Sequence, residues 1–215
     1  MGAAVKLIKR LSGIRGTVSA AGRWRSALIA VTAGAVSALA FAPFFLTPVL
    51  FFTLPLLLWL TEAGDIDQAP GFHPDRKLFR RGAWCGWWFG FGIHTAGLYW
   101  IGNAFLVQAD AFAWLLPFAM VLLPAGLALF YAVALAFFAV VQGPPLLRVL
   151  TLAAALSVSE WLRGTIFTGF PWNILGYALT QPIELMQFTG VVGIYGLTIV
   201  AILVFATPLA VLAGG

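Results

Sequence analysis

Two charged residues, Glu160 and Arg163, stand three residues apart at the end of an apolar stretch. Charges inside a bilayer segment cost roughly 2.5–3.5 kcal/mol each, so they normally face protein or water and serve a purpose. Their i, i+3 spacing places both on one helix face, where they can form a structural ion pair. A guanidinium also matches phosphate oxygens in a two-pronged geometry, so Arg163 is equally a candidate for contacting a lipid phosphate.

The segment after Arg163 is rich in aromatic residues, glycine and proline, and has no Lys, Asp or Glu before Glu184. Gly169 permits a positive φ, and Pro171 pushes Phe170 out of the helical region. Non-helical backbone at membrane depth is tolerated only where it is buried in protein or lines a cavity. We therefore predict a non-helical outer loop near 164–183 at the mouth of a lipid-facing site. The candidate residues for this site, as pocket lining or structural support, are Glu160, Arg163, Thr168, Gly169, Phe170, Pro171, Trp172, Trp100 and Asn103.

The elements that position these residues belong to a membrane protein. Hydrophobic residues make up 62% of the 215 residues and charged residues only 9%, a composition typical of integral membrane proteins. Six of the twelve basic residues lie in the first 25 positions and four more in the 62–82 loop. They are not interleaved with the exposed polar surface that nucleic-acid binding needs. We expect contact with the membrane and its anionic headgroups, and no nucleic-acid partner.

Six apolar runs follow a basic leader of residues 1–26, at about 27–42, 47–61, 83–106, 113–141, 149–162 and 185–213. A span needs about 20 apolar residues, and roughly 17 is the low end. The second and fifth runs are short by this measure, so they extend into flanking residues or one of them is re-entrant. A polar loop at 64–74 and the pair Pro144-Pro145 separate neighbouring runs. The predicted fold is an all-α, polytopic transmembrane bundle of about six spans within residues 27–215.

The distribution of charge also predicts the orientation. Positive loops stay on the cytoplasmic side, which places the leader, the 62–82 loop and Arg148 in the cytoplasm. The turns at 43–47 and 103–112 and the 164–183 loop then face outside. A small-residue pattern at 38–40 leaves a cleavable signal peptide as an alternative, and the five further apolar runs favour an uncleaved first helix.

Several other residues have structural interpretations. Gly82, Gly86 and Gly90 recur every four residues, a spacing that lets helices approach closely. Cys85 lies among aromatic neighbours without a base, and is interpreted as a packing residue. His94 has no acidic partner in its helix and is interpreted as a core histidine rather than a proton relay. One cysteine and two histidines do not supply a metal site, so we predict no metal and no cofactor.

Three segments carry a family resemblance. Glu160-Trp-Leu-Arg-Gly, followed by Thr168-Gly-Phe-Pro-Trp and Leu175-Gly-Tyr, resembles the membrane domain of the apolipoprotein N-acyltransferase family. Phe41-Ala-Pro-Phe, and Gly86-Trp-Trp-Phe-Gly-Phe-Gly with Gly97-Leu-Tyr-Trp, are similar to two further segments of that domain. The resemblance runs from about residue 28 to the C-terminus, and its most specific part is the Thr-Gly-Phe-Pro-Trp element.

This resemblance implies a bacterial inner-membrane enzyme family of lipoprotein biosynthesis. Its members transfer an acyl chain from a phospholipid to the free α-amine of a diacylglyceryl-modified N-terminal cysteine. The reaction passes through a thioester on an enzyme cysteine, within a Glu-Lys-Cys triad of a nitrilase-like domain that follows the membrane helices. The implied partners are therefore a phospholipid acyl donor and a diacylglyceryl-lipoprotein.

The triad maps onto no residue of this sequence, because no lysine follows Lys77 and no cysteine follows Cys85, so the resemblance implies no catalytic residue here. We expect the membrane half of such an acyltransferase, a truncated chain that is inactive alone. The alternative is a standalone polytopic lipid-binding or transport protein without acyltransferase chemistry. A channel ranks below both, because only His94, Glu160 and Arg163 offer polar lining within the spans.

Overall fold

The structure, a computed structural model, describes residues 2–62 and 70–214, except for the side chains of Ala3 and Ala4. Its architecture is all-α, as predicted, apart from one two-residue antiparallel pair, β1 (Gly71–Phe72) with β2 (Val141–Gln142). The helices are α1 (Gly2–Ser19), α2 (Arg23–Ser37), α3 (Leu50–Leu60), α4 (Arg76–Gly97), α5 (Gly102–Leu106), α6 (Ala109–Phe112), α7 (Leu116–Ala139), α8 (Pro145–Thr165) and α9 (Ile183–Gly214). Part of the predicted 64–74 loop lies outside the described residues, and its end forms β1.

Among the residues that the structure describes, three helical stretches are long and apolar enough to cross a membrane: Ala109–Ala139, Pro145–Thr165 and Ile183–Gly214. A shorter apolar helix covers Thr47–Leu60. The fifth apolar run is short in the sequence, but its helix α8 has 21 residues because helix formation begins at the Pro144-Pro145 break. The predicted membrane character is thus supported, whereas six spans and their orientation stay predictions.

The basic leader contains a helix, α1, that its sequence pattern does not predict. Its 18 residues include Gly13 and Gly16 and lack a long apolar stretch, so neither propensity nor hydropathy marks it strongly. Its buried side chains are Arg15, Val18 and Ser19. Contacts of Arg15 with Glu62 and with the Ala213 carbonyl oxygen hold this helix at one end of the bundle.

Helix α4 packs closely between α2 and α7, because glycine lines two of its faces. A Cβ on Gly82 or Gly86 would overlap backbone carbonyl oxygens of α7, and one on Gly92 would overlap the Val31 carbonyl of α2. Gly34 of α2 is equally close to the Phe89 carbonyl of α4. The prediction that the glycine repeat packs helices is confirmed, and α7 is the partner that it packs against.

The last two long helices bring the predicted site together. Helix α8 ends at Thr165, and Ile183 begins α9 after an irregular segment with a short 3₁₀ turn, Leu175–Leu179. Gly193, with φ 69°, interrupts the helical geometry of α9. Helix α9 then packs along α8, α3 and the 3₁₀ turn, so residues from α7, α8, α9 and the loop converge.

Candidate functional site

The carboxyl group of Glu160 is completely buried and joins four parts of the fold. Its Oε1 accepts hydrogen bonds from the Tyr131 hydroxyl of α7 at 3.2 Å and from the Leu175 N–H at 2.9 Å. Its Oε2 accepts from the Thr198 hydroxyl of α9 at 2.8 Å. We call Glu160, Tyr131, Thr198 and the Leu175 amide the Glu160 cluster. A buried polar group is tolerated when its hydrogen bonds are made, and here the bonds tie the loop to three helices.

Thr198 extends this cluster to the next amide of the loop. Its hydroxyl oxygen accepts from the Gly176 N–H at 3.0 Å while its hydrogen is donated to Glu160. A Cβ on Gly176 would lie about 3 Å from Thr198, so glycine permits the close approach. The pKa of the Tyr177 phenol is raised, mainly by its partial burial and to a smaller extent by the neighbouring Tyr195. The 3₁₀ turn is therefore anchored through two successive backbone amides.

Arg163 lies one helical turn from Glu160 but bonds to different partners. Its Nη1 donates to the carbonyl oxygens of Phe170 at 2.6 Å and Trp172 at 2.7 Å. The Arg163 carbonyl accepts from the Phe170 N–H at 2.8 Å. The side chain is only 1% exposed, and its Nε and Nη2 have no hydrogen-bond partner among the described residues.

The ion pair that the i, i+3 spacing allows does not form at hydrogen-bonding distance. Within residues 2–62 and 70–214, the salt bridge found is that of Arg15 with Glu62. Glu160 instead takes neutral donors, and Arg163 takes loop carbonyls. The two charges thus hold two successive pieces of the same loop.

The loop backbone is irregular where the sequence predicts it. Phe167, Thr168, Gly169 and Asn173 all have positive φ, from 51° to 81°, and a Cβ on Gly169 would overlap the Gly164 carbonyl oxygen. No helix forms between the end of α8 and Leu175. Residues 166–174 are thus non-helical, whereas the first two residues of the predicted 164–183 loop belong to α8, Leu175–Leu179 form a 3₁₀ turn and Ile183 begins α9. The outer location of this loop stays a prediction.

The remaining candidate residues divide into two groups. Trp172 and Trp100 meet edge to face, with ring centroids 5.5 Å apart, so the loop contacts the segment after α4. Thr168, Pro171 and Asn103 are exposed, and Asn103 lies on α5. The structure therefore brings Trp100 to the loop, whereas it leaves Asn103 on the surface.

Sequence reasoning missed Tyr131 and Thr198, which lie 29 and 38 residues from Glu160. Both are common residue types within apolar helices, and no spacing in the sequence joins them to Glu160. His94 is buried, its ring contacts Tyr131 at a centroid distance of 5.6 Å, and its Nδ1 lies 2.7 Å from the Gly90 carbonyl oxygen. It is a core residue as interpreted, while Cys85 is buried with its Sγ 3.8 Å from the Leu60 carbonyl oxygen.

A lateral groove of about 1050 Å³ runs between α7 and α8, from Phe72 to Phe167. Its two hydroxyl groups donate to backbone carbonyls, Thr151 to Leu147 within α8 and Ser159 to Phe130 of α7, so the lining presents an apolar surface. Its volume lies just above the range of typical ligand sites, about 300–1,000 Å³. Its lining includes Leu122, Val133 and Phe137 of α7 and Ala154, Val158 and Leu162 of α8.

Fold and site together define a helical membrane protein with an apolar lateral groove that ends beside a loop fixed by buried polar contacts. A family model described as "Apolipoprotein N-acyltransferase N-terminal domain" matches residues 33–207, and the chain belongs to this family.

Curated relatives carry the same name. The chain is 48% identical over 205 residues to "Apolipoprotein N-acyltransferase" of Rhodopseudomonas palustris, covering 95% of this chain and 37% of that protein. It is 44% identical over 185 residues to the protein of that name from Bradyrhizobium diazoefficiens, covering 86% of this chain and 33% of the relative. The protein of that name from Allorhizobium ampelinum is 46% identical over 189 residues, with coverages of 86% and 34%. The chain spans about a third of the length of these relatives.

Proposed function

We propose that residues 27–215 form a membrane domain that holds the acyl chains of a phospholipid donor for lipoprotein N-acylation. The observation that carries this proposal is the groove between α7 and α8. It opens sideways, is lined by apolar side chains and ends at Ile166 and Phe167, directly after α8. An acyl chain entering from the bilayer would bring its headgroup to the 164–183 loop.

The loop and its supports would then position the headgroup. Glu160 holds Leu175, and Arg163 holds Phe170 and Trp172, so both act as positioning residues for the mouth of the site. Thr168, Gly169, Pro171, Trp100 and Asn103 complete this mouth in our proposal. The Nε and Nη2 of Arg163, which have no hydrogen-bond partner in the described part of the chain, support a contact with an anionic oxygen if the loop opens.

The chemistry would come from outside these residues. The relatives are named for N-acyltransfer, and this sequence offers no position for a Glu-Lys-Cys triad. We propose that the 215 residues alone do not catalyse. The acceptor would be a diacylglyceryl-lipoprotein, at the bacterial inner membrane, with the N-terminus in the cytoplasm and the 164–183 loop outside.

A fusion tests this function. These 215 residues would be joined to the part of the Rhodopseudomonas palustris relative that lies beyond the matched region, and expressed where the host's own enzyme is depleted. N-acylation of a diacylglyceryl-lipoprotein, measured by mass spectrometry, is the expected result. A fusion that inserts correctly but remains inactive, while the intact relative works, would favour a lipid-binding or transport protein without acyltransferase chemistry.

A matched pair of substitutions tests the groove. Val133 lines the groove and Val204 of α9 does not, and their exposures are similar, 57% and 46%. Val133→Trp should fill the groove and raise KM for the phospholipid several-fold in the fusion, because a bulky side chain excludes the acyl chain. Val204→Trp should leave KM unchanged. Equal kinetics of the two variants would refute the assignment of the groove.

A further inference from the structure

Helix α1 is tied to one end of the bundle. Its Arg15 donates from Nε to Glu62 Oε2 at 2.7 Å and from Nη1 to the Ala213 carbonyl oxygen at 3.3 Å. Arg81 of α4 donates to the carbonyl oxygens of Ser19 and Leu60. Glu62 follows the end of α3 and Ala213 is near the end of α9, so α1 lies at the level where these helices terminate. For helices that cross a bilayer, this level is the headgroup region.

The side of α1 that faces away from the bundle is basic. Lys6, Lys9 and Arg10 are exposed, whereas Arg15 is buried. At 100° per residue the three exposed basic residues fall within one third of the helix circumference, opposite Arg15. No acidic residue precedes Glu62 in the sequence, and Glu62 is already paired with Arg15. Among the described residues, none of Lys6, Lys9 and Arg10 forms a salt bridge.

An apolar edge accompanies the basic side. Leu7 and Ile14 are seven residues apart, so they lie on the same edge of α1, next to the buried face. They are 52% and 49% exposed. Close to this helix, Arg23 lies over the Trp84 ring at 4.2 Å, and the exposed Trp24 meets the same ring edge to face at 5.6 Å. Tryptophans are enriched at the interface between membrane and water.

We infer that α1 is an interfacial helix that binds the anionic phospholipid surface of the bilayer at this end of the bundle. Leu7 and Ile14 enter below the headgroups, and Lys6, Lys9 and Arg10 contact lipid phosphates. A helix with a positive side and an apolar edge, but without a long apolar stretch, has the properties of helices that lie in the plane of the interface. Each basic residue near an anionic surface strengthens binding by about fivefold, so three contribute on the order of a hundredfold.

The test uses the full chain in lipid nanodiscs with an environment-sensitive fluorophore on Ile14→Cys, in a Cys85→Ser background. The phosphatidylglycerol content is raised stepwise against phosphatidylcholine. We expect a blue shift of the emission and loss of acrylamide quenching as phosphatidylglycerol increases. In the triple variant Lys6→Gln/Lys9→Gln/Arg10→Gln, the phosphatidylglycerol fraction at the half-maximal shift should rise at least several-fold. Added salt should also raise this fraction, because it screens the attraction between the basic side chains and the anionic lipids.

Two controls keep the result specific. Arg76→Gln/Lys77→Gln/Arg80→Gln removes three exposed basic residues at the start of α4, and should leave the shift at position 14 unchanged. A label on Gly13→Cys, on the basic side of α1, should stay accessible to the quencher. The inference is overturned if the label at position 14 reports the same environment in both lipids, or if the two triple variants behave alike.

Discussion

Replacing Glu160 with alanine should destabilise the protein through three separated elements at once. The substitution removes the acceptor of the Tyr131 hydroxyl, the Thr198 hydroxyl and the Leu175 N–H. All three residues are buried, so water does not replace the lost acceptor. A buried donor left without a partner costs more than the net value of the bond that it made.

The magnitude follows from these three bonds. Hydrogen bonds between membrane helices contribute about 0.6 kcal/mol on average and up to about 1.7 kcal/mol, and a typical bond in a folded protein contributes about 0.5–1.5 kcal/mol. Three bonds and their unsatisfied donors amount to a loss of about 2–4 kcal/mol in the free energy of unfolding. For a chain of this size, such a loss lowers Tm by about 4–16 °C.

The assay is thermal unfolding in detergent, combined with hydrogen exchange measured by mass spectrometry. The amides of Leu175 and Gly176 should exchange faster in Glu160→Ala, because their acceptors belong to the Glu160 cluster. Glu160→Gln is the matched control. Its amide oxygen still accepts from Tyr131 and Leu175, and its NH₂ can donate to Thr198, whose hydroxyl also accepts.

Two outcomes of the unfolding measurement would refute this reasoning, and so would one outcome of the exchange measurement. One is a Tm of Glu160→Ala within about 2 °C of the parent, corresponding to less than about 1 kcal/mol. The other is that Glu160→Gln loses as much stability as Glu160→Ala, since charge rather than hydrogen bonding would then matter. Unchanged exchange at Leu175 in Glu160→Ala, despite a lower Tm, would place the stabilising contacts elsewhere.

Two further substitutions test the helix packing and the loop. Gly86→Val should lower the free energy of unfolding by at least about 2 kcal/mol, because its Cβ would overlap the Tyr131 carbonyl. Gly126→Ala is the control and should change the free energy of unfolding little, because a Cβ there has open space. Equal unfolding curves for the two variants would contradict the packing argument. Arg163→Met should leave the Phe170 and Trp172 carbonyls unpaired and speed hydrogen exchange across residues 166–174, by an amount that corresponds to about 1–3 kcal/mol of local stability. Arg25→Met, at an exposed position, should leave this exchange unchanged, and protection of the loop in Arg163→Met would exclude a positioning role.

Local features of the sequence were sufficient to predict part of the fold and of the site. The non-helical segment after Thr165 was predictable, because Pro171 excludes helical geometry for the residue before it and Gly169 accepts a positive φ. The glycine repeat of α4 predicted close helix packing for a similar reason, since absence of a side chain is visible in the sequence. The identity of α7 as the partner was not visible.

The leader illustrates what a periodicity argument leaves out. Helix α1 has few strong helix signals, and its buried face includes a charged residue, Arg15. In the sequence, Arg15 looks like a surface residue, because its partner Glu62 lies 47 residues away. Hydropathy alone therefore predicts an exposed, basic leader, although one face of α1 packs against the bundle.

The sequence by itself determined the membrane character, the break after α8, the close-packing face of α4 and the family. These properties depend on hydropathy, on backbone sterics and on motifs of adjacent residues, all of which are local. Only the tertiary structure decided that Glu160 binds Tyr131, Thr198 and Leu175 while Arg163 binds the loop carbonyls. The i, i+3 spacing made a direct ion pair feasible. Once α7, α8 and α9 had packed, donors from other parts of the chain reached Glu160 instead, and Arg163 donated to carbonyl oxygens of the loop that follows it.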